Sequence, residues 1–152
     1  MTNFIWNGAG AYGVAVANWL TTELNALASS TGNTLSTLGA AFQNTGGWIY
    51  ADIEFLAGGT FTPTAGAFLE VWLLRSLDGG TSYEDGSATV APGRLPDATI
   101  PVRAGTTITP RAGMSGIIMP PGFYKPILRN TTGASLPATG NLLRFAQYAE
   151  QY

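Results

Sequence analysis

Three carboxylates and four hydroxyl groups fall in one short glycine-rich stretch, "SLDGGTSYEDG", from Ser76 to Gly86. Asp78, Glu84 and Asp85 are the residues with which this chain comes nearest to a catalytic or metal-binding set. A pair of carboxylates is the machinery of glycoside hydrolysis, one as acid and one as base or nucleophile. A calcium loop needs six to eight oxygens, usually from several carboxylates at alternating spacing, and three acids without that spacing are a thin set. Asp-Gly followed by Thr and Ser is also ordinary turn chemistry, in which the carboxylate accepts from main-chain N–H groups a few residues on. The stretch resembles the Asp-box of sialidase-type propellers, where Asp and Ser satisfy the backbone of a hairpin and an aromatic residue packs beneath, here Tyr83. Propellers carry that box several times and this chain has it once. A tight, hydrogen-bonded turn is the favoured reading.

The remaining chemistry is sparse. The 152 residues include no cysteine and no histidine. Disulfides and cysteine-ligated metals are excluded, and the commonest general base is missing. Lys125 stands alone in "GFYKPILRN", where a charge on an edge strand discourages aggregation. "GAGAYG" (8–13) has glycines but no βαβ context for a phosphate loop. Trp6, Trp19, Trp48 and Trp72 offer a sugar-stacking platform or, more simply, core and interface bulk. Trp72 shares a strand face with Glu70 and is the best candidate of the four for exposure, but packing or protomer contact is the favoured reading. No catalytic, metal or cofactor site is expected, and the chain is not expected to be an enzyme.

Charge narrows the partners. Charged residues are 11% of the chain, roughly half the usual share for a soluble domain. Residues 1–74 carry four acids and no base, and the seven basic residues are scattered singly over the second half. Nucleic-acid binding needs a clustered basic footprint, so no nucleic-acid partner is expected. "AYGVAVANWL" (11–20) is too short to span a bilayer, and no basic residue precedes it as a secretory signal requires. The expectation is synthesis in a cytoplasm and no membrane partner. A surface so poor in charge points instead to coverage by other protein.

These residues must be positioned by strands. "WIYADIEFLA" (48–57) alternates, with Ile49, Ala51, Ile53 and Phe55 on one face and Asp52 and Glu54 on the other. "GAFLEVWLLRS" (66–76) does so less cleanly. "TIPVRA", "TTITPRA", "SGIIMP", "GFYKPILRN" and "NLLRFAQY" read as further strands punctuated by Gly, Pro and Asn. Pro126 marks an edge or a bulge. The pattern predicts an all-β chain, an antiparallel β-sandwich or jelly roll. Residues 48–152 form the sandwich and residues 1–47 an N-terminal arm. Leu20, Leu24 and Leu27 predict a short helix within Asn18–Ser29, and Asn33–Asn44 reads as a strand or extended arm. The aromatics Phe4, Trp6, Tyr12 and Trp19 near one end, and Phe145, Tyr148 and Tyr152 near the other, are the expected protein-interface residues, each buried on its own sandwich or on a neighbour.

The succession "WLTTELNAL", "GWIYADIEFL", "AGAFLEVWLLRSLDGGTSYEDG", "IPVRAGTTITPRA" and "PPGFYKPILRNTTGASLPATGNLLRFAQYAEQY" resembles a group of small tailed-bacteriophage virion proteins from about Asn18 onward. Such proteins are similar to jelly-roll head decoration, or cement, proteins. The resemblance implies a structural protein on the outer capsid surface, bound to the major capsid protein and to copies of itself, as a homotrimer. It transfers no residue-level motif. The alternative is a tail or fibre jelly roll that binds a host glycan or receptor through Trp72 or Tyr83 beside Asp78 and Glu84.

Overall fold

A computed structural model describes residues 3–6, 17–45 and 47–151. Nine strands run in chain order: β1 (Asn3–Trp6), β2 (Ala17–Leu20), β3 (Phe42–Asn44), β4 (Tyr50–Leu56), β5 (Phe68–Ser76), β6 (Ala98–Pro101), β7 (Arg111–Ile118), β8 (Gly122–Asn130) and β9 (Leu142–Gln151). All pairs are antiparallel. One sheet has the order β2-β9-β4-β7, with β1 paired to the far end of β9; the other has the order β3-β8-β5-β6. This interleaving of eight strands between two four-stranded sheets is the jelly roll. The chain is an all-β sandwich.

Alternation decides the faces. Ala51, Ile53 and Phe55 of β4, Leu69, Val71 and Leu73 of β5, and Leu143 and Phe145 of β9 are buried between the sheets. Each large side chain buried there contributes about 1.5–3 kcal/mol before ordering costs. Trp19 stacks on Phe145 at 4.0 Å between ring centroids, and Phe42 meets Phe145 edge-on at 4.8 Å. Trp19 and Phe145, expected at an interface, are 5% and 4% exposed and pack within the chain's own core.

The outer face of β5 is covered as well. Trp72 is 2% exposed and packs with Leu35, Leu74 and Ile127, and Tyr83 closes over them. The Trp72 indole N–H donates to the Arg94 carbonyl at 3.0 Å. Trp72 is therefore packed, as the favoured reading has it, and is not available as an exposed platform. The loop from Tyr83 to Arg94 folds back over this face, which also explains why β5 alternates less cleanly than β4.

Four further expectations are corrected. The 18–29 helix is a strand followed by one 3-10 turn, Thr22–Leu24. Leu20, Leu24 and Leu27 are all buried, but Leu20 does so from β2, and Ala26 at φ 52° ends the turn in the left-handed region. Residues 17–44 are no detached arm, since they supply β2 and β3, one strand to each sheet. Pro126 lies inside the second sheet, opposite Leu73 of β5. Its missing N–H costs nothing, because on its other side the segment before β3 is irregular and Gly39 only donates its N–H to the Pro126 carbonyl. A Cβ on Gly39 would stand 2.6 Å from the Pro126 ring and 2.7 Å from the Trp19 carbonyl, so only glycine fits. "TTITPRA" supplies only an isolated bridge, Ile108 to Phe61, before β7 begins.

The loops at one end of the sandwich lock together. The Asn130 amide donates to the carbonyls of Leu27 and Ala134, and its oxygen accepts from the N–H and hydroxyl of Thr132. The Asn141 amide donates to Pro137 and Leu24, and its oxygen accepts from the Gly58 N–H.

Candidate functional site

The acid-rich loop is a turn. Asp78 accepts from the hydroxyl of Ser76 at 2.6 Å, from the N–H groups of Thr81 and Ser82 at 3.1 and 2.9 Å, and from the Ser82 hydroxyl. The Ser76 hydroxyl in turn accepts from the Gly80 N–H. These bonds, the Ser76 and Ser82 hydroxyls foremost, hold the Asp78 carboxyl far below the usual carboxylate range. Such a group is neither a general acid nor an open metal ligand.

Of the other carboxylates near it, Asp85 is exposed, and Glu84 and Asp97 do backbone work. Beyond β6, the edge of β5 lacks a strand partner at Leu73 and Arg75. Asp97 accepts from the Leu73 N–H at 2.6 Å, and Glu84 accepts from the Arg75 N–H at 3.1 Å. Arg94 donates to the Leu73 carbonyl while binding both Glu84 (2.9 Å) and Asp97 (2.8 Å). Side chains thus replace the missing strand and satisfy its polar groups. Elsewhere Glu70 pairs with Arg129, and Glu54 with Arg111 and Arg144. Burial pushes the Glu54 carboxyl up, but hydrogen bonds and charge from Arg111 and Arg144 outweigh it and leave it lowered. Among the described residues no cluster of three or more His, Cys, Asp or Glu is placed to hold a metal. Lys125, on an internal strand, sits 4.5 Å over the Tyr83 ring.

The surface feature that remains is a row across the first sheet. Trp6 of β1 stands opposite Tyr148 of β9, Tyr148 opposite Tyr50 of β4, and Tyr50 opposite Ile118 of β7. The Tyr50 and Tyr148 rings stack at 5.4 Å. Ile118 is 71% exposed, and Ile49 beside Tyr50 is 40% exposed. Cross-strand neighbours share a face, and for Tyr148, Tyr50 and Ile118 that face is the outer one. Half-buried Trp48 and exposed Leu77 occupy loops at the same end of the sandwich.

Buried Asn44 holds the row in place. Its amide donates to the carbonyls of Trp48 at 2.8 Å and Met119 at 2.7 Å, tying the β3–β4 turn to the end of β7. A bulge in β7 re-aims that strand: Ala51 faces Ile117 and Ile53 faces Met114, so β7 has one residue more. Gly116 takes up the bend at φ 78°, and its N–H donates to Asp52.

Two clefts adjoin this surface. One, of about 370 Å3, lies along the Asp52, Glu54, Arg111 and Arg144 face. The other, of about 190 Å3, is lined by Arg75, Glu84, Arg94, Asp97, Ile118 and Pro120 among others.

Of the expected interface residues, Tyr148 lies in the row, and Trp6 stands opposite it in the register of β1 and β9. Phe4 stands opposite Glu150 in the register of β1 and β9. Trp19 and Phe145 are core, and Tyr12 and Tyr152 lie outside the described residues. Tyr50, Ile49, Ile118 and Arg75 were missed. Tyr50 carried a signal, being an aromatic in phase with Asp52 and Glu54; so did "GIIM", where two adjacent isoleucines in a strand cannot both face inward.

No family model, curated protein or solved structure matches this chain.

Proposed function

We propose that this chain is a non-catalytic structural protein of a bacteriophage virion, a decoration protein that binds and stabilises the outer surface of the head. Its partners on this reading are the major capsid protein and further copies of itself, as a trimer, and it is made in the host cytoplasm before joining the particle. The observation that carries the reading is the Ile118–Tyr50–Tyr148 row: apolar and aromatic side chains fixed on the outside of a rigid sheet. Tyrosine with apolar neighbours is the composition of interface cores. The engagement of the described acids in turns, ion pairs and backbone caps argues in the same direction, as does the scarcity of charge. A jelly roll alone would not carry it, because that architecture serves many functions.

The glycan-binding alternative loses two of its four named residues. Trp72 is buried and hydrogen-bonded, and Asp78 is consumed by its own turn. Immunogold labelling of intact virions with an antibody to this chain tests the proposal. Label over the head is the expected result. Label confined to the tail would overturn it.

A further inference from the structure

We propose that the cleft at Arg75 receives a carboxylate side chain from the protein that covers the Ile118 row, an inference that rests on that row being a protein contact. Arg94, Arg111, Arg129 and Arg144 each hold a carboxylate of this chain. Among the described residues Arg75 and Arg103 have no such partner, and of the two only Arg75 has a buried nitrogen without an acceptor. A guanidinium has five N–H donors; here Nη2 donates to the Pro121 carbonyl at 3.2 Å and Nε is buried with no acceptor. Such a group is under-satisfied where it sits, and an unmet buried donor is costly. It is also pre-placed, because the Arg75 main chain is gripped on both sides: its N–H donates to the Glu84 carboxylate and its carbonyl accepts from the Glu84 N–H.

The cleft's other charges define the guest. Glu84 and Asp97 are bound to Arg94 and to main-chain N–H groups, so the cleft is neutral while empty. A dianionic phosphate would meet two fixed carboxylates with twice the charge of a carboxylate guest. The volume of about 190 Å3 admits a side chain and not a drug-sized ligand. Exposed Ile118 and Pro120 offer apolar surface to the methylene stem of a glutamate. Ile118 belongs both to this cleft and to the row, so one partner segment touches both.

The test is an NMR titration of the isolated full chain with N-acetyl-glutamate N-methylamide, using the glutamine analogue as control. The expected result is a saturable shift of the Arg75 Nε–H and the Ile118 methyl signals, with half-saturation at roughly millimolar ligand. The shift is absent with the glutamine analogue and absent in Arg75→Gln. No saturable shift, or equal shifts from the two analogues in the unmodified chain, would overturn the proposal. The titration needs no virion, so the two readings fail separately. A negative titration with gold on the head removes the cleft alone; a positive one with gold on the tail removes the decoration role alone.

Discussion

The two ends of the sandwich are built on opposite terms. At the end formed by the β4–β5 and β8–β9 connections, polar groups turn inward and satisfy one another: Asn130, Thr132 and Asn141 are buried, and their partners are main-chain groups of three different loops. At the other end, the frame is equally fixed, by Asn44, but the side chains it carries point outward and are apolar, and Arg75 keeps donors without acceptors. One end completes the fold; the other is complete as structure but unsatisfied as surface. A protein that stopped at folding would not hold Ile118, Ile49 and Leu77 in water beside a half-paired guanidinium.

Substitutions at the first end should therefore cost stability and those at the second should not. The largest effect is expected for Gly58→Ala. A Cβ there would lie 2.0 Å from the Thr139 carbonyl oxygen and 2.3 Å from the Gly140 backbone. Neither backbone segment yields cheaply, and a loss of about 3 kcal/mol or more is expected in urea unfolding. Asn130→Ala comes next, at about 2–3 kcal/mol, because it removes four hydrogen bonds at a buried site and leaves the Thr132 N–H without its acceptor. A change in either variant of under about 0.5 kcal/mol, the range of neutral surface sites, would erase the contrast.

Acid sharpens the comparison at a third place, the charged face between the two ends. The folded Glu54 carboxyl is lowered from its ordinary 4.5. A depressed folded value means that its contribution is present above about pH 4.5 and is lost as pH falls through the lower, folded value. Stability of the unmodified chain should fall on acidification in that window, and Glu54→Gln should flatten that part of the curve. Identical acid limbs for the two chains, followed by urea midpoint, would show that the Arg111–Glu54–Arg144 bridge is worth nothing in solution.

The smallest stability effect belongs to the contact row. Ile118→Ser should change the unfolding free energy by no more than about 0.5 kcal/mol, as an exposed site away from packing and buried polar groups. A loss above 2 kcal/mol would mean that Ile118 is held by this chain after all.

Much of the sandwich was legible in the sequence and the contact surface mostly was not, for a physical reason. Alternation in 48–57, 66–76 and 122–130 is a local signal, and β4, β5 and β8 follow it closely. The 18–29 leucines were misread because helical spacing and a strand followed by a tight turn bury the same three positions. What covers Trp72 was not legible because it comes from a loop some twenty residues away. Likewise the row depends on register: Trp6, Tyr148, Tyr50 and Ile118 come from four segments that only the β1-β9-β4-β7 order brings into line. Arg75 looked like any scattered base until four of the other five arginines were seen to be paired and its own Nε to be buried without an acceptor.

Occupancy on the particle tests the central claim most directly. Virions assembled with the unmodified chain and with Ile118→Asp would be purified, and bound copies of this chain counted against the major capsid protein by quantitative mass spectrometry. A loss of roughly tenfold or more, with an unchanged urea midpoint, is the predicted result, as for a central contact residue replaced by a charge. Full occupancy of a folded Ile118→Asp chain would contradict the assignment of this end as the contact surface.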